Sequence, residues 1–350
     1  MTSLRDVSAR IGGDPLLVQA GTGNTSIKLG RTLWIKASGK WLANARHEEQ
    51  FVPVDLARAR DCLQQDIDVA AACTDSAGQQ LKPSVETAMH AVIPDRVVLH
   101  VHSVSTIAWA VRKDGSAQVK DRLAGLRWRW IDYRASGNEL ASEIEKALTE
   151  APRSQVFILA NHGLVVSGDS AEAAEALLFE VEKRLKLPPR PAAPPDPVVL
   201  ARLSSGSRWQ VPDSMDLHAL ATDAVSRDII SGGILYPCQA MFFGVDVPAE
   251  STVASFEAGN SSWSRITPPP LFVMIRSAGL LISRIMTKTE HAMLAGLVQV
   301  VRRVDRPASI AYLTPRDIER VLTVAHPYRA LMDRPGRELQ ADLSGSKPAG

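Results

Sequence analysis

The 350 residues are enough for two domains, either of which could bury its own core. The apolar fraction is 45%, the charged fraction 22% and the net charge +2 with no long run of one sign, which argues against nucleic-acid binding as the main task. Cys62, Cys73 and Cys238 are scattered, odd in number and without C-x-x-C spacing, which excludes a disulfide framework or a cysteine-rich zinc site and fits a reducing compartment.

The N-terminal stretch Met1 to Pro15 has no apolar run of signal-peptide length, and no segment reaches the roughly 18 apolar residues a membrane span needs. The expected location is the cytoplasm. Gly21 to Ser26 is a small polar loop before a strand at Ile27. It reads either as a plain hairpin turn or as a place where backbone amides approach an anion. Arg31 to Lys36 reads as a strand entering a turn at Ser38-Gly39, and Lys40 could lend charge there. Ser84 is placed to cap a helix running to about Val92. Arg96 to Ser103 is a β-branched apolar run of strand length, followed by a helix near Thr106 to Arg112. Val156 to Ala160 reads as a buried strand, turned by Asn161-His162-Gly163 into a second strand from Leu164 to Ser167. Ser170 to Lys186 carries alanine and leucine at helical spacing, with Ser170 as cap.

The run from Leu187 to Pro197 holds six prolines and reads as an extended connector. It divides the chain into a first domain at 1–187, a linker at 188–197 and a second, smaller α/β domain at 198–335, with a frayed tail at 336–350. In the second domain Leu217 to Ile230 reads as helix and Tyr236 to Gly244 as a strand-like apolar run. Phe272 to Ser283 echoes Phe157 to Ser167 with one inserted residue, so that Arg276-Ser277 stand where the first copy has His162. This suggests a degenerate, metal-free repeat, although any strand–turn–strand–helix unit has this look.

His100 and His102 lie two apart on a predicted strand and so project from the same face. Two imidazoles in an apolar run bury polar nitrogens that need partners. A shared divalent cation would satisfy both, with His162 as third ligand and one position open for chemistry. Glu86 lies upstream as a candidate acid or base. His90 shares its helix face and reads as structural or supporting. His47, His218, His291 and His326 are isolated.

The ordered motifs Gly23-Asn24-Thr25-Ser26, Ser38-Gly39-Lys40, Pro83-Ser84-Val85-Glu86, His100-Val101-His102-Ser103 and Asn161-His162-Gly163 resemble the class II aldolase/adducin family over about residues 5–186. The resemblance implies an α/β fold, a three-layer α/β/α domain around a mainly antiparallel sheet. It implies Zn2+, Mn2+ or Co2+ held by His100, His102 and His162, and Glu86 as catalytic carboxylate. Asn24, Ser38, Gly39 and Ser84 match its phosphate-binding positions. Tyr133 looks like the tyrosine that serves a neighbouring subunit's site, and reads equally as an interface or core residue. Where the family often has a second serine, this chain has Val85, one hydroxyl donor fewer. The implied activity is carbon–carbon cleavage or formation in a sugar phosphate or sugar acid, through an enediolate stabilised by the metal as Lewis acid. Epimerase, decarboxylase and non-catalytic adducin-like alternatives remain open. The expected assembly is a homo-oligomer, either a tetramer or a dimer imitating fourfold symmetry, with no nucleic-acid or membrane partner.

Overall fold

A computed structural model describes residues 1–72, 81–245, 249–259, 270–305 and 308–332. Cys73 and the 336–350 tail lie outside the described residues, as does the side chain of His326. No described helix is long and apolar enough to cross a membrane.

The strands are β1 (Asn24–Leu29), β2 (Thr32–Lys36), β3 (Phe51–Asp55), β4 (Val97–Val101), β5 (Trp128–Ile131), β6 (Val156–Leu159), β7 (Gly163–Gly168), β8 (Trp209–Gln210), β9 (Ala249–Ser251), β10 (Phe272–Ile275) and β11 (Gly279–Ser283). The first seven form one sheet in the order β3-β2-β1-β4-β7-β6-β5, antiparallel except for the parallel β5–β6 pair. Every residue of β4, β6 and β7 is buried, so the centre of the sheet is covered on both faces. On one side Val97, Leu99 and Val101 join a core with the helices Thr2–Gly12 and Ala171–Leu185. On the other, Val98, Phe157 and Val165 pack with the helices Leu56–Gln64, Thr87–Val92 and Asn138–Glu150. The period-2 alternation of strand side chains thus builds a three-layer α/β/α sandwich.

The second sheet runs β8-β11-β10-β9, with β9–β10 parallel and the other pairs antiparallel. This repeats the order and directions of β4-β7-β6-β5. The two hairpins also share a register: Leu159 pairs with Gly163, and Ile275 with Gly279. Each loop is three residues long, and its middle residue has positive φ, 52° at Asn161 and 62° at Ser277. The equivalence corrects the alignment read from sequence. There is no inserted residue, and Ala278 stands at the place of His162. One face of the C-terminal sheet shares a core with the first half, where Phe272, Met274, Leu280 and the helix Lys288–Val301 pack against Val104, Ile107 and Val111. On the other face, Val273, Ile275 and Leu281 pack with Leu200, Leu203 and Trp209 of their own half.

Two further expectations change. Tyr236 to Gly244 is not a strand but contains the helix Pro237–Phe243, with proline in its first turn and Gly244 at φ 86° past its end. Those terminal signals outweigh apolar, aromatic composition. The expected helix at 217–230 is interrupted at Asp223, whose carboxylate accepts from Val225 N and Ser226 N and starts a new helix, Ala224–Ser231. The proline-rich segment has no helix or strand between residues 186 and 196. It is held down by Arg190, whose guanidinium donates to Asp223 and to the Val301 carbonyl.

Candidate metal centre

Three backbone devices bring the histidines together. His100 lies near the end of β4, directly opposite Asn24 on β1 and Val165 on β7. His102 follows just past the strand end. His162 sits in the β6–β7 turn after Asn161, whose positive φ most residues avoid and asparagine tolerates. Gly163 lets this turn lie against β4: a Cβ there would stand 2.6 Å from Val101 O and 3.4 Å from the His100 ring.

The three rings are buried, with centroids 5.0 to 5.2 Å apart. His100 Nε2 is 3.2 Å from His102 Nε2. Glu86 faces the cluster, with Oε2 3.3 Å from His100 Nε2 and Oε1 3.1 Å from His162 Nε2. Burial pushes His100 down to about 4 and His102 well below the usual imidazole value, so both rings are neutral at pH 7. For Glu86, burial works upward, but in acid the positive charge on the facing His100 ring, with the hydrogen bond to His162, outweighs it and holds the carboxyl well below the usual range.

His100 Nδ1 is 3.1 Å from the Leu164 carbonyl, which can only accept. A neutral ring that donates through Nδ1 keeps a bare lone pair on Nε2. That lone pair faces another ring nitrogen and a carboxylate oxygen with no proton of its own to offer them. A cation among these atoms would resolve the conflict. Neutral nitrogen donors beside a carboxylate suit zinc and the neighbouring divalent metals, and no other group of described side chains clusters in this way.

Around the cluster is a cavity of about 100 Å³. Asn24, Ser38, Gly39, Ser84, Glu86 and His162 line it, as does His102, so most of the residues singled out from sequence meet there. His100 lies behind them. Asn24 Nδ2 donates to Glu86 Oε2 at 2.7 Å and to Ser84 Oγ at 3.0 Å. The Ser84 hydroxyl also accepts from Glu86 N, so it does not cap the Thr87–Val92 helix in the expected way, and its proton is free to donate. Ser38 Oγ donates to the Pro83 carbonyl. His90 stays outside the cluster and braces it, with Nδ1 2.7 Å from Ser26 Oγ and Nε2 2.5 Å from Asn24 Oδ1.

Tyr133 is not brought to the cavity of its own chain. Its ring packs with Ile234, Ala240, Leu313 and Val321. The hydroxyl is buried without a hydrogen-bond partner among the described residues.

Other lining residues had no visible sequence signal. Lys36 is 2% exposed and donates through Nζ to the Gly21 and Gly23 carbonyls at 2.7 and 2.9 Å. Burial pushes it down to about 7, against the pull of Glu86. Ser136, three residues after the tyrosine that drew attention, donates to Glu86 Oε1 at 3.2 Å. Pro237, Cys238, Met241 and Val321 close the cavity from the C-terminal half. Burial pushes the Cys238 thiol up to about 12, so it remains protonated.

Residues 6–187, just over half of the chain, match the family described as "Class II Aldolase and Adducin N-terminal domain". Among curated proteins, the chain is 28% identical over 178 residues to "Uncharacterized oxidoreductase YuxG" of Bacillus subtilis, covering 46% of this chain and 25% of that protein. It is 30% identical over 101 residues to gamma-adducin of Mus musculus, covering 28% and 14%. The chain therefore spans a quarter or less of the length of these relatives. Among solved structures, the N-terminal class II aldolase domain of a conserved protein from Thermoplasma acidophilum matches with a TM-score of 0.45 and 26% identity, over 52% of this chain and 90% of that one.

Proposed function

The chain belongs to the class II aldolase and adducin family, and from that premise we propose that it is a divalent-metal-dependent lyase. It makes or breaks a carbon–carbon bond in a sugar phosphate or sugar acid. The observation that carries this reading is the meeting of His100, His102 and His162 beside Glu86 in one buried cluster. An adducin-like scaffold would have no need to keep three ligands and a carboxylate in register.

His100, His102 and His162 would hold Zn2+, or Mn2+ or Co2+. When bound, the ion supplies Lewis acidity toward vicinal substrate oxygens. Glu86 moves the proton. It is the only carboxylate among the described residues lining the cavity, and Asn24 and Ser136 fix its two oxygens. In cleavage it takes the proton of the hydroxyl on the carbon that becomes a carbonyl, and a proton returns to the departing fragment. Ser38, Gly39 and Ser84 bind the acidic end of the substrate, and Asn24 holds Ser84 and Glu86 in place beside it. Pro237, Met241 and Val321 keep water out.

In this reading residues 1–187 carry the chemistry. Residues 198–335 form a metal-free repeat that walls the cavity, joined by the 188–197 segment. Tyr133 has no part in the site of its own chain. Val85 lines the cavity in place of a hydroxyl, and the Lys36 ammonium is committed to two backbone carbonyls. Both observations favour a sugar acid over a phosphate, and a carboxylated substrate makes decarboxylation the second reading.

The test supplies Zn, Mn or Co to metal-free protein, then offers keto-sugar phosphates and keto-sugar acids while aldehyde and carbon dioxide are followed. Glu86→Gln should retain the metal and lose 10²–10⁴-fold in kcat, the usual contribution of a positioned acid or base. Protein that takes up no metal, or a fully active Glu86→Gln, would overturn the proposal.

A further inference from the structure

We infer that Cys238, contributed by the C-terminal half, is the positioning residue for His102, so that the second half of the chain sets the metal affinity of a site built in the first. This rests on the metal-dependent reading above.

The three ligands are restrained unequally. His100 is on a central strand, and its Nδ1 donates to Leu164 O. His162 is placed by a hairpin turn whose backbone leaves little freedom, although its Nδ1 has no hydrogen-bond partner among the described residues. His102 lies beyond the end of β4 and has no ladder partner to fix its ring. Its Nε2 faces His100 Nε2, which makes Nδ1 the outer nitrogen, and that atom is 3.5 Å from Cys238 Sγ. An imidazole offering its Nε2 lone pair to a cation carries its proton on Nδ1 and needs an acceptor there. The sulfur is that acceptor, at a distance ordinary for hydrogen bonds to sulfur. Lying behind the ring, it is placed to orient a ligand and not to be one.

Cys238 is itself held rigidly. It is 4% exposed, in the first turn of the Pro237–Phe243 helix. The segment leading into that helix is tied down by Gln239, whose side chain accepts from Leu235 N at 2.9 Å. A second brace crosses between the halves nearby: Asn161, next to His162, donates through Nδ2 to the Leu235 and Ala311 carbonyls. The helix that carries Cys238 thus belongs to a segment that grips the ligand set at two points.

The experiment titrates the metal-free full chain with Co2+, followed by its visible absorption, and then with Zn2+ against a chelator of known affinity. Circular dichroism of the metal-free forms checks that each variant is folded. Cys238→Ala should weaken both metals about 10- to 100-fold, the range for losing a ligand's outer hydrogen-bond partner. Cys238→Ser, whose hydroxyl can accept the same proton, should remain within about threefold of the parent. An alanine variant within threefold of the parent would overturn the inference. So would a serine variant that falls as far as alanine, since packing and not the hydrogen bond would then matter. A parent that binds neither metal is a different result, which removes the metal reading itself and this inference with it.

Discussion

Replacing Lys36 by methionine should change how stability depends on pH. The ammonium is fully buried and bonded to the Gly21 and Gly23 carbonyls, and burial pushes it from 10.5 down to about 7. Folded protein therefore releases this proton near pH 7, whereas the unfolded chain keeps it until about 10.5. Across that window the unfolded state binds more protons, so the Lys36 contribution to stability rises with pH and is lost again as pH falls through 7. Between pH 7 and pH 9 the gain is ~2 kcal/mol by the linkage relation. Lys36→Met cannot titrate, and it leaves two carbonyls without their donor at a cost of ~1–3 kcal/mol each. At pH 7 this loss is offset by relief from burying a charge, and at pH 9 it is not. Guanidinium unfolding of parent and variant, both metal-free, should show the parent's advantage growing by ~2 kcal/mol from pH 7 to pH 9. Other titrating groups are common to both proteins and cancel. An advantage that stays constant over those two pH units would refute the argument, because Lys36 would then titrate alike in folded and unfolded chains.

Gly163→Ala places a Cβ 2.6 Å from Val101 O, so β4 and the β6–β7 turn must separate. The expected cost is ~1–3 kcal/mol in urea unfolding, together with metal content well below that of the parent by elemental analysis. Asn161→Ala removes the donor to the Leu235 and Ala311 carbonyls and puts alanine at a positive φ. It should lose ~2–4 kcal/mol, because buried acceptors are stranded and the turn is strained, and an unfolding midpoint equal to the parent's would count against this bracing. Burial pushes His90 down to about 3. Its neutral form stabilises the fold fully above pH 6.5, and that contribution is lost progressively as pH falls toward 3. A His90→Gln variant should accordingly show a shallower acid decline than the parent over this range in pH-dependent circular dichroism.

Much of the site was legible because its determinants are local. The two-residue spacing of His100 and His102 puts both on one face of any strand. Asn161-His162-Gly163 between two apolar runs marks a tight turn whatever surrounds it. Ser170 and the alanine-rich segment after it predict the helix Ala171–Leu185, and the Ser170 hydroxyl does accept from Ala173 N. The Pro237–Phe243 helix was misread because its composition suits a strand, and the terminal proline and glycine carry more weight than the residues between them. The repeat was misaligned by one position. Matching Phe272 to Phe157 by residue type forced an inserted residue ahead of the glycines, and only the strand pairing shows that Phe272 holds the place of Val156.

The amino-acid order alone determined the strands that carry the histidines, the turn between β6 and β7 and the set of candidate ligands, since dihedral preference and side-chain alternation act over a few residues. Tertiary structure decided that Lys36 spends its charge on backbone carbonyls, that Ser136 and Asn24 fix Glu86, and that Tyr133 stays away from the cavity of its own chain. It also put Cys238 behind His102, 136 residues away in sequence. Contacts of this kind depend on how one layer of helices seats against another, where burial and shape act between segments that share no local pattern.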